Sequence, residues 1–391
     1  MTTITERGAI ISGIGISRIG RRTGIPGPDL TEESSLQAIA DAGLTPADID
    51  GIATIGDTPL PEAAKRLGIE PKWTGDAGAG FGRGGLLSPV MSAFNAASEG
   101  RARHILVYRT VQMMGGAAVN ADGQPLMAMG DGADIPPAML DMLSTFTYHA
   151  YSAAHWLAMH AKRHMHLYGT TKEQMGGLAV NSRANAMLNP LAAYRDPITL
   201  DDYMMSRPIA EPFGLLDCDV PIDGSIAVVV SPEAFAADIP NPAVRVQAIG
   251  GSDGLGGWDQ RPDYPKMASA DAGKEMWART DLKPSDVDVA ELYDGFTFLT
   301  LAWLEALGFC GEGESGAFVE GGKRIALKGG DLPLNTYGGQ LSAGRMHGYW
   351  VLHEACLQLR GQAGERQVEG AEVAAVSNGG GPIAGCMLLT N

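Results

Sequence analysis

The sequence predicts an α/β fold built from two copies of a β-α-β-α-β unit, and three observations carry that prediction. The heptapeptide Leu-x-Pro-x-Asp-[Ile/Val]-Asp occurs twice, as Leu44–Asp50 and Leu282–Asp288, each time after a strand–helix pair at nearly the same spacing. A glycine pair opening a helix also occurs twice, as Gly84-Gly85-Leu86-Leu87-Ser88 and Gly338-Gly339-Gln340-Leu341-Ser342. Finally, 53 glycines, 45% hydrophobic residues and only 19% charged residues suit buried parallel strands joined by tight loops. A length of 391 residues allows two packed α/β units.

The first copy opens with Ala9 to Ser17, an apolar, β-branched run with a glycine exit that reads as a buried strand. Thr31 to Ala42 follows as a helix, with Thr31 as N-cap and Glu32 and Glu33 in the first turn, where the helix dipole favours negative charge. After the heptapeptide comes a strand, Gly51 to Ile55; the Gly84-Gly85 helix then leads to the strand His104 to Val111. Gly224 to Val230 closes the half. The second copy repeats the order: strand Val244 to Ser252, helix Met267 to Arg279, heptapeptide, strand Val289 to Leu292, the Gly338-Gly339 helix, and strand Val373 to Ser377. The expected division is 1–240 and 241–391, with residues 112–222 inserted into the first half and carrying an amphipathic stretch, Ser152 to Leu167.

A formal net charge of −16 and the lack of a basic cluster disfavour nucleic acid as a partner. Cys218, Cys310, Cys356 and Cys386 form no Cys-x-x-Cys pair, which argues against a zinc knuckle or disulfide scaffold and for reduced thiols in the cytoplasm. The first residues read as no signal peptide, and no stretch has the roughly 18 consecutive apolar residues of a membrane span, so a soluble protein is expected.

Four stretches carry a resemblance to a known family: Tyr168 to Gln174 with Asn189-Pro190; Pro197 to Ile209 followed by Asp223-Gly224; Glu291 to Phe296; and Leu334 to Thr336 followed by Gly338 to Ser342. Together with the duplicated unit, they resemble the thiolase superfamily, and within it the sterol-carrier-protein-type thiolases and lipid-transfer-protein-like relatives. That resemblance implies a five-layer α-β-α-β-α fold, an acyl-CoA substrate and a homodimer.

The resemblance also locates the departures. Thiolase chemistry needs a thiolate to hold the acyl group, a histidine to activate it, a second acid/base and an oxyanion hole. Gly84 stands at or within a residue or two of the nucleophilic cysteine position, beside Gly85. Tyr293 in Tyr293-Asp294-Gly295-Phe296 replaces a histidine of the oxyanion hole. Arg345 replaces the histidine of a Gly-His-Pro motif, with His347 two residues on and Tyr349 after it. Ser377 replaces the second cysteine.

Two outcomes fit. One is non-covalent carbon–carbon cleavage of a bulky, steroid-derived 3-hydroxyacyl-CoA by a retro-aldol reaction, as in the aldolases that Gly338 to Gly348 resemble, which work with a small OB-fold/zinc-ribbon partner. Tyr293 and His347, with Tyr349 in reserve, would then move protons, while Arg345, the glycines Gly84, Gly85, Gly338 and Gly339, and Ser377 would line the substrate; no cofactor beyond the CoA of the substrate, and no metal, is expected. The other is a binding subunit without chemistry; a further alternative is an acyltransferase using Ser88. Without the resemblance, Tyr293 reads as a buried structural tyrosine and Asp294 as a cap.

Other signals are weaker. Gly80 to Gly85 matches Gly-x-Gly-x-x-Gly, but no strand precedes it, so dinucleotide binding is rejected. His155, His160, His164 and His166 lack a nearby carboxylate or cysteine to complete a zinc set. Trp156, Leu157, Met159, Met165 and Leu167 read as core or dimer contacts before they read as a sterol groove.

Overall fold

A computed structural model describes residues 5–56, 58–76, 83–114, 145–252, 258 and 261–391. Eleven strands are described: β1 Ala9–Ile16, β2 Gly51–Thr54, β3 Trp73–Asp76, β4 Ile105–Gln112, β5 Pro208–Ala210, β6 Phe213–Gly214, β7 Asp223–Pro232, β8 Val244–Ser252, β9 Val289–Glu291, β10 Val373–Gly379 and β11 Ala384–Thr390. Nine of them form one sheet in the order β3-β2-β4-β7-β1-β8-β11-β10-β9. Its two halves meet through a two-residue pairing, Ile10 with Arg245 and Ile11 with Val244. The helices are α1 Gly27–Asp41, α2 Leu60–Leu67, α3 Ser88–Ser98, α4 Ala153–Tyr168, α5 Lys172–Met187, α6 Leu200–Met204, α7 Ala268–Trp277, α8 Thr297–Ala306, α9 Ser315–Val319 and α10 Tyr349–Leu359.

The cores stack these elements into five layers. Ile39 of α1 and Leu67 of α2 pack on Ile52, Leu106 and Val229 on the outer face of the first half. Phe94 of α3 and Trp350 of α10 pack between the halves, against Ile11 and Val228 on one side and Val376 and Leu389 on the other. Met276 of α7, Trp303 of α8 and Leu178 of α5 cover Ala248, Ala375 and Leu388 on the outer face of the second half. The order is α-β-α-β-α, the architecture the resemblance implies.

The repeated heptapeptide has a physical reason. In each copy the first aspartate closes a 3₁₀ turn: Asp48 Oδ2 accepts the Thr45 N–H at 2.8 Å, and Asp286 Oδ2 accepts the Lys283 N–H at 2.8 Å. The second aspartate ties the turn to the entry of the neighbouring strand. Asp50 accepts from the Arg103 and His104 N–H groups, and Asp288 from Glu372 and Val373. The glycine pairs repeat as well: φ is +111° and +58° at Gly84 and Gly85, and +104° and +62° at Gly338 and Gly339, a left-handed pair that side chains strongly disfavour.

Two sequence expectations need correction. Thr31 is not an N-cap: α1 begins at Gly27 behind Pro26, and the buried Thr31 hydroxyl donates back to the Gly27 carbonyl at 2.9 Å. The Gly338-Gly339 helix is not continuous either. A π turn, Gly339–Ala343, ends at Gly344, and α10 starts only at Tyr349. Gly344, His347 and Gly348 all have positive φ (+143°, +52° and +91°), which a right-handed helix cannot contain. The Gly80 to Gly85 match and residues 115–144 of the insertion lie partly or wholly outside the described residues. Among the described residues no helix is long and apolar enough to cross a membrane.

Candidate active site

The site forms where β9 and β10 end, at the carboxyl edge of parallel strands where α/β folds place chemistry. Tyr293 follows β9, is buried, and is anchored by its N–H, which donates to Ser377 Oγ at 2.9 Å. Ser377 is fully buried, so its hydroxyl positions the tyrosine backbone. Asp294, also fully buried, accepts from the Gln340 N–H at 2.8 Å and the Leu341 N–H at 3.4 Å and thereby caps the π turn. A Cβ at residue 339 would stand 1.9 Å from Asp294 Oδ2, which is why this turn needs glycine.

Asn378 joins the two glycine turns. Its Oδ1 accepts the Leu86 N–H at 2.7 Å, and its Nδ2 donates to the His347 carbonyl at 2.9 Å. His347 is half-buried and left-handed, and that backbone is over-determined: its N–H donates to Gln340 Oε1 at 3.1 Å while its carbonyl is held by Asn378. Across from it, Arg109 of β4 donates to the Ile55 carbonyl and to His347 Nδ1, the latter at 2.7 Å. Arg345 donates to Asp219 at 3.2 and 3.4 Å and to the Met113 sulfur at 3.0 and 3.1 Å. Tyr349 is fully buried in the central layer, and its hydroxyl has no hydrogen-bond partner among the described residues. The Gln340 amide nitrogen is buried without a hydrogen-bond partner among the described residues in the same way.

The electrostatics divide the groups by role. Burial, reinforced by the Asp219 carboxylate, drives the Tyr293 phenol far above its ordinary range, so it is a neutral O–H at any physiological pH. Burial raises Asp219 to about 6, with Arg345 pulling the other way, so it is ionised at neutral pH. Burial raises Asp294 to about 7 against the two N–H groups it accepts. Burial and two cations, Arg109 and Arg345, push His347 well below the ordinary histidine value.

The cysteines and the remaining histidines stand apart from this chemistry. Cys218 precedes Asp219 and its backbone pairs with Phe296, so it comes nearer the site in space than in sequence. Its thiol donates weakly to the Gly214 carbonyl at 3.6 Å and is raised to about 12 by burial and two aspartates, the reverse of a reactive thiolate. Ser88 Oγ has no partner among the described residues and therefore no base to activate it. His164 bridges Glu305 and Thr170 at 2.9 and 3.0 Å, and His160 contacts the Trp156 carbonyl at 3.1 Å. Among the described residues no three metal-capable side chains gather. Trp156 and Leu157 are buried, whereas Met159 and Leu167 face outward, so this stripe does not line one groove.

Sequence reading singled out Tyr293, Arg345 and His347, and the structure brings them together. It did not single out Asp219, Arg109, Gln340 or Asn378. Arg109 carried a signal, a charge inside the apolar run Ile105 to Val111; Asp219 carried none.

The layered duplicated fold and its paired glycine turns define a protein of the thiolase class in which no described cysteine is activated. A family model described as thiolase C-terminal domain-like matches residues 256–389. A steroid side-chain-cleaving aldolase of Thermomonospora curvata is 36% identical, with 97% of each chain covered. A 17-hydroxy-3-oxo-4-pregnene-20-carboxyl-CoA lyase of Mycobacterium tuberculosis is 36% identical over 97% of this chain and 98% of that one. The solved structure of an Ltp2-ChsH2(DUF35) aldolase superposes with a TM-score of 0.89 at 33% identity, covering 99% of both chains. The chain belongs to the thiolase superfamily, in the branch that holds the sterol-carrier-protein-type thiolases and the steroid side-chain-cleaving aldolases.

Proposed function

We propose that this chain is a carbon–carbon lyase that cleaves a bulky, steroid-derived 3-hydroxyacyl-CoA by a retro-aldol reaction, without an acyl-enzyme. One observation carries the reading. Glycine and serine stand at the two cysteine positions, and where a thiolase's oxyanion hole holds a histidine this site holds a neutral phenol, Tyr293, near an ionised carboxylate, Asp219, whose backbone N–H donates to the Gly295 carbonyl at 3.2 Å. The 3-hydroxyl proton passes to Asp219, the C2–C3 bond breaks to leave a ketone or aldehyde, and its electron pair becomes the thioester enolate. Tyr293 donates to the enolate oxygen, and the proton taken by Asp219 is returned to C2, giving the shortened acyl-CoA. Arg345 keeps Asp219 charged, and CoA enters only as part of the substrate.

The relatives support this assignment, since two of them are named for such cleavage and one solved relative is an aldolase with a second component. We read the protein as working in the cytoplasm as a homodimer with a small OB-fold/zinc-ribbon partner, the halves dividing near residue 240. The acyltransferase alternative finds no activated nucleophile in the described residues.

The test is product analysis with bulky 3-hydroxyacyl-CoA esters, with and without the small partner. A ketone or aldehyde plus a shortened acyl-CoA is expected. The sign of the pH dependence follows from Asp219: kcat/KM falls as pH drops through about 6 and the base takes up its proton. Asp219→Asn should flatten that limb at a low rate. Tight binding without products in any combination would instead leave a carrier subunit.

A further inference from the structure

Arginine can only donate hydrogen bonds. The 2.7 Å contact from the Arg109 guanidinium therefore obliges His347 Nδ1 to accept, which leaves the ring proton on Nε2. From this geometry we infer that Arg109 is a positioning residue that locks His347 as a neutral Nε2–H donor, so that the histidine serves the reaction as a fixed hydrogen-bond donor to developing negative charge and not as its base.

Several observations converge on this lock. Arg109 lies within the buried strand β4, 8% exposed, and it also donates to the Ile55 carbonyl. A cation there disfavours a second cation on the imidazole at 2.7 Å. Among the described residues, Arg345, from the same turn, is the other charge acting on His347, and it is cationic too. A histidine meant to act as a base is more commonly paired through Nδ1 with a carboxylate or carbonyl acceptor, which favours its protonated form. Here the pairing is inverted. The backbone on both sides of the ring is fixed by Gln340 and Asn378, and no bond joins Nε2 to another described residue. Arg109 belongs to the first half and His347 to the second, so the donor is set up only when the halves are packed.

The lock rests on the lyase reading for its purpose but not for its existence. Nitrogen NMR of ¹⁵N-histidine protein, with His347→Gln to assign the signal, reads it directly. His347 should stay neutral with Nδ1 bare between about pH 5 and 8, and in Arg109→Met it should titrate inside that window, toward the ordinary value of about 6.5. An imidazolium or an Nδ1–H in the wild type overturns the inference, whether or not Arg109→Met folds. In turnover, His347→Phe should lose about 100-fold in kcat, while His347→Gln, whose amide can accept from Arg109 and still donate, should recover most of it. Equal losses in the two variants would also overturn it. A neutral, locked His347 in a protein that cleaves nothing contradicts the lyase reading alone.

Discussion

Tyr293→Phe is expected to lower kcat by about 10²- to 10⁴-fold while leaving acyl-CoA affinity within a few fold of wild type. The substitution removes one oxygen and keeps the ring, so the packing around residue 293 and the Ser377 hydrogen bond to its N–H remain. What disappears is the phenol O–H, whose pKa is driven up by burial and by Asp219. Because the phenol stays neutral throughout the working pH range, the defect should appear as a loss at every pH and not as a displaced pH optimum. Steady-state kinetics paired with an equilibrium measurement of acyl-CoA binding separates this from a folding defect. A variant with full kcat would move the enolate donor to another group, His347 first.

Arg366→Leu should produce the largest loss of stability, about 3–5 kcal/mol at neutral pH. Glu354 is fully buried, and both of its oxygens accept from Arg366 at 2.9 Å. Thr336 Oγ1 lies 3.0 Å from Glu354 and 2.6 Å from Glu291, but a single hydroxyl hydrogen cannot serve both carboxyls. Glu291 sits well above the ordinary carboxyl value, through burial first and Glu354 second, with the Thr336 hydroxyl and N–H and then Arg366 holding it down. A group whose folded pKa is raised supports the fold below its unfolded pKa and loses that support as pH rises through the folded one. Removing Arg366 raises Glu291 further, so the defect in urea denaturation should grow as pH rises through the folded pKa of Glu291. A pH-independent defect would mean lost packing alone. This network fixes the strand end that leads into Tyr293, so its integrity is a precondition for the site.

Much of the fold was legible because the duplicated elements repeat residues with local jobs. Asp48 and Asp286 close a turn three residues back, and Asp50 and Asp288 catch the same two N–H groups in each half, so their spelling survives in both copies. The glycine pairs were visible for the same reason, since their left-handed backbone admits little else. Thr31 misled because a threonine before acidic residues spells an N-cap, yet its hydroxyl is consumed inside α1. The start of α10 was misplaced because the sequence pattern alone does not show that His347 is left-handed; the Gln340 and Asn378 contacts impose that. Site positions lying within motifs, Tyr293, Arg345 and His347, could be read. Asp219 could not, because its meaning lies in a partner 126 residues away, and Arg109 shows in sequence only as a charge within an apolar run, its partner lying 238 residues away. Tyr349, next to the motif in sequence, turns into the central core instead.

Intact-protein mass spectrometry of enzyme quenched during turnover separates the two chemistries, because a thiolase-type reaction passes through an acyl-enzyme and a retro-aldol reaction does not. A retro-aldol mechanism predicts an unmodified protein mass alongside accumulating ketone or aldehyde and shortened acyl-CoA. A protein heavier by the acyl group, mapped to Cys218, Ser88 or any other side chain, would contradict it.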